Sequence, residues 1–213
     1  MGSEYRDMNK VLNNKDFNVP DYILQDIDTI TECLERKKIP REEIVYRGMD
    51  NLGVLFGDDA KKLSSEELNQ KYSGTLFISD GFSSTSMDKQ IATAYAGFEE
   101  GVLMRIKVPE KMRGMYLGAV NRYREMELLL QRSSIFKLDA IEKKGDITYV
   151  DASLIYQVKK KGKMYGKNIN SQELNHERFK LQPGDMRPIS LDEFEKLVKK
   201  DESADGDDID GDE

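Results

Sequence analysis

Two glutamates, Glu125 and Glu127, stand two positions apart at the start of an apolar run. In an extended backbone alternate side chains point to the same side, so both carboxylates would face one site. Paired carboxylates can divide catalytic roles, because their surroundings can push their pKa values apart. The leucines after Glu127 would fix it on a rigid strand beside the core, although such pairs also occur on ordinary polar strand faces.

Two upstream groups complement this pair. Arg47 closes a short β-like stretch, and a guanidinium suits bidentate binding of phosphate. Residues 82–86 read Phe-Ser-Ser-Thr-Ser, and a hydroxyl such as that of Ser84 would hold one carboxylate by a hydrogen bond. Singly, such an arginine is typical of a solvated strand end, and such hydroxyls of a turn or helix cap. Together they suit a substrate with both phosphate and a scissile glycosidic bond.

In this order the three groups resemble the R-S-E class of mono-ADP-ribosyltransferases. That class includes clostridial actin-modifying binary toxins, Rho-modifying exoenzymes and several phage enzymes. Its pattern is an aromatic-Arg-Gly strand, a Ser-Thr-Ser strand and a Glu/Gln-x-Glu turn, which here are residues 46–48, 84–86 and 125–127. The resemblance extends through the flanking segments over residues 20–158.

The resemblance implies NAD as a substrate, without a metal, and a role for each motif residue. Arg47 would contact the NAD phosphates, and Ser84 would hold Glu127. Glu127 would bind the nicotinamide ribose and stabilise an oxocarbenium-like centre, as expected for negative charge placed where positive charge develops. Further NAD-site residues are implied at Gly48, Thr85, Ser86, Tyr95 and Phe98. Tyr95 is preferred for stacking on nicotinamide, although its helical pattern also fits a core residue.

In this class the first position of the glutamate pair sets the acceptor. Glutamate accompanies arginine acceptors and glutamine accompanies asparagine or Rho-type acceptors, so Glu125 predicts arginine. Its carboxylate would orient and deprotonate the guanidinium, whose pKa is above about 12 in free arginine. Related enzymes often carry a target-touching aromatic three residues before this glutamate. Here Arg122 holds that place and Tyr123 follows as the candidate, which leaves the acceptor protein open.

Two alternatives remain beside the arginine-specific transferase. One is mainly an NAD glycohydrolase with water as acceptor, and the other is a non-catalytic interaction domain of a phage structural protein. The intact set of Arg47, Ser84, Glu125 and Glu127 argues against lost activity. His176, the one histidine, lies outside the matched region and is not expected to act in catalysis.

The elements that must position these residues follow from periodicity. Ile23, Ile27, Ile30 and Leu34 predict an amphipathic helix over residues 21–38. A capping box at Ser64 opens a short helix, and another begins near residue 88. Strands are predicted near residues 44–48, 75–78, 102–108, 126–130, 134–138 and 148–158. A helix followed by many short strands indicates an α+β fold. The resemblance further implies two packed, mostly antiparallel sheets forming an NAD cleft, with N-terminal and peripheral helices.

Composition narrows the kinds of partner and the cellular compartment expected for the protein. The 213 residues have a formal net charge of −7, from 33 basic and 40 acidic residues. Residues 201–213 hold eight of the acidic ones, and without them 33 basic face 32 acidic residues, so no basic field indicates nucleic acid. One cysteine excludes an intramolecular disulfide and fits a reducing compartment. The sequence has no apolar run of about 20 residues for a membrane and no signal-peptide region, which predicts a cytoplasmic protein of the producer or target cell.

Four segments are predicted along the chain. They are a flexible lead at 1–18, the catalytic domain at 19–158, a basic extension with a short helix at 159–200 and a disordered acidic tail at 201–213. The extension opens with a lysine run, for which a solvated linker is the expected role. The initial Met-Gly-Ser is typical of a cloning scar, so the chain is expected to be part of a larger polypeptide.

Overall fold

The computed structural model describes residues 3–13, 19–97, 100–117, 126–159 and 186–203. In these ranges the chain forms six α-helices and nine β-strands. The helices are α1 Ser3–Asn13, α2 Asp21–Glu35, α3 Gly53–Phe56, α4 Ser65–Tyr72, α5 Lys89–Ala94 and α6 Leu191–Ser203. The strands are β1 Glu43–Met49, β2 Leu76–Ser79, β3 Ser83–Ser86, β4 Gly101–Val108, β5 Gly114–Tyr116, β6 Glu127–Leu130, β7 Ser134–Lys144, β8 Ile147–Gln157 and β9 Arg187–Ile189. A 3₁₀ helix, Asp58–Lys62, lies between α3 and α4.

Hydrogen bonds join the nine strands in the order β5-β6-β3-β1-β4-β8-β7-β2-β9. All neighbouring pairs are antiparallel except β4 and β8, which are parallel. The predicted α+β class and the mostly antiparallel pairing are therefore confirmed. The two expected sheets are two parts of one sheet, which meet at a single register pair, Tyr46 with Ser86.

Both parts of the sheet cover a common hydrophobic core. Strand β6 contributes Leu128 and Leu130, and the larger part contributes buried residues of β1, β4, β7 and β8. Strand β4 follows the predicted alternation, since Arg105 and Lys107 are exposed while the residues on the other face are buried. Those buried residues are Val102, Met104, Ile106 and Val108. Two of the motif strands, β1 and β6, are thus packed on one core, and β3 is hydrogen-bonded between them.

The N-terminal helix α1 occupies part of the segment expected to be a flexible lead. Its side chains Met8, Val11 and Leu12 are buried in a second cluster with residues of α2 and with Phe82 and Leu129. Their i, i+3, i+4 spacing is that of a helix face. The polar residues around them made this spacing easy to overlook in the sequence. The correction applies to residues 3–13, because 1–2 and 14–18 lie outside the described residues.

A local capping signal placed α4 correctly, and α6 begins with a similar contact. At α4, Ser64 Oγ accepts a hydrogen bond from the Glu67 N–H at 3.2 Å, and the Glu67 carboxylate accepts one from the Ser64 N–H at 2.8 Å. These two bonds complete the predicted capping box. At α6, Ser190 Oγ accepts from the Glu193 N–H at 3.1 Å. Within the described ranges, none of the helices has the length and apolar character needed to span a bilayer.

The end of α6 differs from the expected boundary between residues 200 and 201. The helix continues to Ser203, and Asp201 is buried against β8. Tyr156 Oη donates to Asp201 Oδ2 at 2.6 Å, and the Lys159 N–H donates to the same carboxylate. Burial, followed by this hydrogen bond, raises the pKa of Tyr156. Most of the predicted extension and tail, residues 160–185 and 204–213, lies outside the described residues.

Candidate active site

The three motif strands lie side by side in the order β1, β3, β6. Ser86 pairs with Tyr46 of β1 on one side and with Glu127 of β6 on the other. Ser84, two residues earlier, pairs with Leu129. Paired residues and alternate residues point to one face of a sheet, so Ser84, Ser86 and Glu127 share a face.

Ser84 and Glu127 are joined across the β3–β6 ladder. Ser84 Oγ donates a hydrogen bond to Glu127 Oε1, with 2.5 Å between the oxygens. This is the contact anticipated from the sequence, and hydrogen bonds from a hydroxyl to an ionised carboxylate are stronger than those between neutral groups. Both side chains are half-buried, so the carboxylate is oriented while its surface still meets the solvent.

Arg47 approaches the same segment from β1. Its side chain lies on the inner face of β1 and only 8% of the residue is exposed. Nη1 points at the Ser84 carbonyl oxygen over a long 3.5 Å contact. A guanidinium offers five N–H donors in a fixed fork, a geometry that matches phosphate oxygens. The structure therefore places a buried guanidinium on β1 and an oriented carboxylate on β6, the two strands that flank β3.

Thr85 and Ser86 have visible structural partners. Thr85 Oγ1 donates to the Leu128 carbonyl at 2.6 Å, on the buried face of the β3–β6 pair. Ser86 Oγ accepts from the Asp88 N–H at 3.0 Å where β3 ends. Asp88 then caps α5 by accepting from the Gln90 N–H at 2.8 Å. These residues fix the strand that carries Ser84 and the direction of the helix after it.

Gly48 allows α5 to pack directly on β1. A Cβ at this position would lie 2.1 Å from the Ala92 carbonyl oxygen and 2.5 Å from the Ala96 nitrogen, closer than real contacts permit. This close approach sets Tyr95, at the carboxyl end of α5, next to the residue after Arg47. Tyr95 is 44% exposed, so the alternative that it is a core residue is wrong.

Glu127 enters β6 through an unusual backbone turn. The preceding residue, Met126, has a φ of 45° and is 50% exposed. Positive φ is uncommon for residues other than glycine. The Met126 carbonyl accepts a hydrogen bond from the Met87 N–H at 3.0 Å, which ties this turn to the end of β3. Three predicted site residues, Phe98, Tyr123 and Glu125, lie outside the described residues, as do Arg122 and His176.

One polar side chain behind the site was missed from the sequence. Asn9 of α1 makes two hydrogen bonds to the backbone of Phe82, immediately before β3. A single asparagine in a polar segment forms no pattern, so only the apolar spacing of α1 could have located it. Among the residues that the structure describes, no group of three or more His, Cys, Asp or Glu side chains is arranged to hold a metal ion.

Sequence comparison decides the family. The family model described as ADP-ribosyltransferase exoenzyme matches residues 1–168. The chain belongs to this family. The resemblance drawn from the three motifs is therefore confirmed, and NAD is the substrate that ADP-ribosyltransferases use. The matched region begins before the predicted domain start at residue 19 and includes α1. No curated protein matches the chain at a significant level.

Solved structures agree on the fold. The chain is similar to Plx2a, an ADP-ribosyltransferase toxin from Paenibacillus larvae, with a TM-score of 0.59, 21% identity, and coverage of 73% of this chain and 87% of Plx2a. For an ADP-ribosyltransferase from Clostridium botulinum the TM-score is 0.58 at 17% identity, covering 71% and 79% of the two chains. For the enzymatic component of the C2 toxin from the same organism it is 0.57 at 24% identity, covering 72% and 41%. At these identities the likeness concerns the fold.

Proposed function

We propose that the protein is a mono-ADP-ribosyltransferase that transfers ADP-ribose from NAD to an arginine side chain of a protein and releases nicotinamide. One observation carries the proposal: the Ser84 hydroxyl orients the Glu127 carboxylate at 2.5 Å, beside the buried guanidinium of Arg47. That arrangement supplies a cation suited to phosphate and a fixed anion on the two strands, β1 and β6, that flank β3. Family membership supplies the ADP-ribosyl chemistry, and the residue roles and the arginine acceptor are our extension of it.

Glu127 acts on the nicotinamide ribose. As the bond between the ribose and nicotinamide breaks, the bonding electrons leave with nicotinamide and positive charge develops on the sugar. A carboxylate held beforehand by Ser84 stabilises this charge without having to reorient during the reaction. It also accepts a hydrogen bond from the ribose hydroxyl, which holds the sugar in place for the acceptor.

Arg47 and Tyr95 hold the rest of the dinucleotide. Arg47 binds the phosphates through charge-assisted hydrogen bonds, which are stronger than bonds between neutral groups. Tyr95 presents an exposed ring at the end of α5, next to β1, and this ring stacks on the nicotinamide. Gly48 contributes by allowing the close approach of α5 that brings Tyr95 to the site.

Glu125 selects the acceptor and completes the transfer. It precedes Glu127 by two positions in the sequence, and glutamate at this point accompanies arginine acceptors in the R-S-E class. Its carboxylate orients the incoming guanidinium and takes the proton that the attacking nitrogen loses. Because arginine is protonated at neutral pH, the transfer requires such a base.

Two carboxamide variants test this division of roles. NAD labelled in its adenylate half is incubated with an arginine-rich acceptor protein, and free ADP-ribose is separated from protein-bound label. Glu127→Gln is expected to lose both NAD cleavage and transfer, because the stabilising charge is gone. Glu125→Gln is expected to cleave NAD and to lose transfer. Glu66→Gln, an exposed glutamate on α4, serves as the matched control and retains both activities.

The same assay discriminates the alternatives. Equal loss of cleavage and transfer in Glu125→Gln would contradict the separate role of that residue. If the wild-type protein releases nearly all label as free ADP-ribose with every acceptor, it is an NAD glycohydrolase. If calorimetric titration shows no NAD binding at all, the chain is a non-catalytic interaction domain instead.

A further inference from the structure

Asn9 of α1 binds both polar groups of one backbone residue, Phe82. Its Oδ1 accepts a hydrogen bond from the Phe82 N–H at 3.0 Å, and its Nδ2 donates to the Phe82 carbonyl at 3.2 Å. Asn9 is only 7% exposed and Phe82 only 1%. Buried backbone groups need hydrogen-bond partners, and Asn9 supplies one to each polar group of the Phe82 backbone. The amide of Asn9 therefore holds the residue that leads into β3 at two points.

The helix that carries Asn9 packs with α2 against Phe82 and Leu129, which lie next to Ser84 and Glu127. In an extended backbone Phe82 and Ser84 point the same way, and Ser84 pairs with Leu129 of β6. Phe82 and Leu129 belong to the buried cluster under α1 and α2. Ser84 lies two residues after Phe82, and Glu127 lies two residues before Leu129. The α1 members of that cluster are Met8, Val11 and Leu12.

The contact between Asn9 and this segment is close. A Cβ placed on Gly81 would lie 2.5 Å from Asn9 Oδ1, so even an alanine at residue 81 would displace the Asn9 amide. Phe82 is followed at once by β3, and Ser84 lies two residues further along the chain. A shift of the Phe82 backbone is therefore passed directly to the hydroxyl that meets Glu127.

We propose that Asn9 is a positioning residue of the active site, which fixes the backbone of Phe82 and thereby the placement of Ser84 against Glu127. This inference rests on the proposed function, because it assigns α1 a part in the same site. Asn9 itself does not touch the reacting atoms. Its effect is to keep Ser84 Oγ at hydrogen-bond distance from the carboxylate that it orients, and small displacements of such groups lower rates strongly.

The chain offers a matched control in a second asparagine. Asn69 of α4 holds the backbone of Ile141 on β7 in the same manner: Oδ1 accepts from the Ile141 N–H at 2.8 Å, and Nδ2 donates to the Ile141 carbonyl. Three strands, β1, β4 and β8, separate β7 from β3 in the sheet. Loss of Asn69 thus removes the same kind of contact at a distance from Ser84.

The experiment compares Asn9→Ala with Asn69→Ala in the full chain. Steady-state NAD cleavage gives kcat and KM, thermal unfolding gives Tm, and hydrogen–deuterium exchange follows the amides of Ser83–Ser86. Both variants are expected to unfold about 2–6 °C lower. Asn9→Ala alone is expected to lower kcat about tenfold, with KM for NAD within about twofold, and to raise exchange in β3 several-fold. A purely structural role would lower Tm and leave kcat unchanged at temperatures well below unfolding.

Gly81→Ala provides a second variant that keeps Asn9 in the chain. It is expected to lower kcat in the same direction, since the new methyl group displaces the Asn9 amide. Equal kcat in Asn9→Ala and Asn69→Ala would overturn the proposal, as would equal exchange of the β3 amides. Wild-type protein that cleaves no NAD would instead refute the proposed function. The exchange comparison, which needs no activity, would then still decide whether Asn9 holds β3.

Discussion

Replacing Ser84 with alanine removes one hydroxyl from the centre of the proposed site. The missing group is the donor to Glu127 Oε1 at 2.5 Å, while the Thr85 bond that holds β3 against β6 is untouched. The carboxylate keeps its charge and loses the contact that orients it. The variant therefore tests orientation separately from charge.

The size of the effect follows from the type of bond. A hydrogen bond to a charged group contributes about 1.5–3 kcal/mol, which corresponds to a factor of about 10 to 150 in kcat/KM if it is lost in the transition state. Ser84 is half-buried, so water can replace part of the donor. We therefore expect the lower part of this range, about 10- to 50-fold, mainly in kcat.

The assay is cleavage of etheno-NAD followed by fluorescence, with Ser83→Ala as the control. Ser83 carries the same hydroxyl one position earlier but is buried on the opposite face, where it donates to Ser79 Oγ at 3.1 Å. Its removal is expected to change kcat/KM by less than about threefold. If Ser84→Ala retained wild-type rates, or if both variants lost activity equally, the reasoning about Glu127 would be wrong.

Two further variants probe the site, and a third probes the capping box of α4. Arg47→Ala should raise the Kd for NAD about 10- to 100-fold in calorimetry, since a charge-assisted phosphate contact is lost, and an unchanged Kd would contradict this role. Gly48→Ala should lower the free energy of unfolding by about 1–3 kcal/mol in urea, because its methyl group meets the Ala92 carbonyl 2.1 Å away; an unchanged midpoint would exclude this close packing. The Ser64 N–H, through its hydrogen bond, lowers the pKa of Glu67 below the ordinary 4.5. The stability that the ionised Glu67 contributes is then complete above pH 4.5 and is lost as the pH falls through the lower folded-state pKa. Glu67→Gln should therefore show a smaller fall in urea midpoint on acidification than the wild-type protein. Curves of urea midpoint against pH that run parallel for the two proteins would refute this.

Short-range patterns predicted much of the fold. The alternation along β4 depends only on neighbouring residues, and burial of Val102 and Met104 beside exposed Arg105 follows it. The capping box of Ser64 and Glu67 is likewise contained within four residues. Such signals survive folding because the backbone geometry that produces them is local.

Contacts between residues that are distant in the sequence were harder to predict from it. Ser84 and Glu127 are 43 positions apart, and only the resemblance to a known class specified Glu127 as the carboxylate that Ser84 holds. Asn9 and Phe82 are 73 positions apart and belong to no such motif. The helix containing Asn9 is stabilised mainly by packing, so its polar sequence suggested a flexible segment.

The pairing that joins the two parts of the sheet also could not be predicted from local sequence patterns. Strand β3 reads Ser-Ser-Thr-Ser and has no apolar alternation, yet it pairs with both β1 and β6. Its extended form is imposed by those neighbours and by the Thr85 bond to the Leu128 carbonyl. A tertiary contact of this kind overrides the weak intrinsic preference of such a segment.

The most direct test of the central claim is mass spectrometry of a cell lysate treated with the protein and NAD, with the modified side chain mapped by fragmentation. The account predicts ADP-ribose on arginine side chains in the wild-type reaction and none with Glu127→Gln. Modification of asparagine or glutamine, or arginine modification that persists in Glu127→Gln, would contradict it.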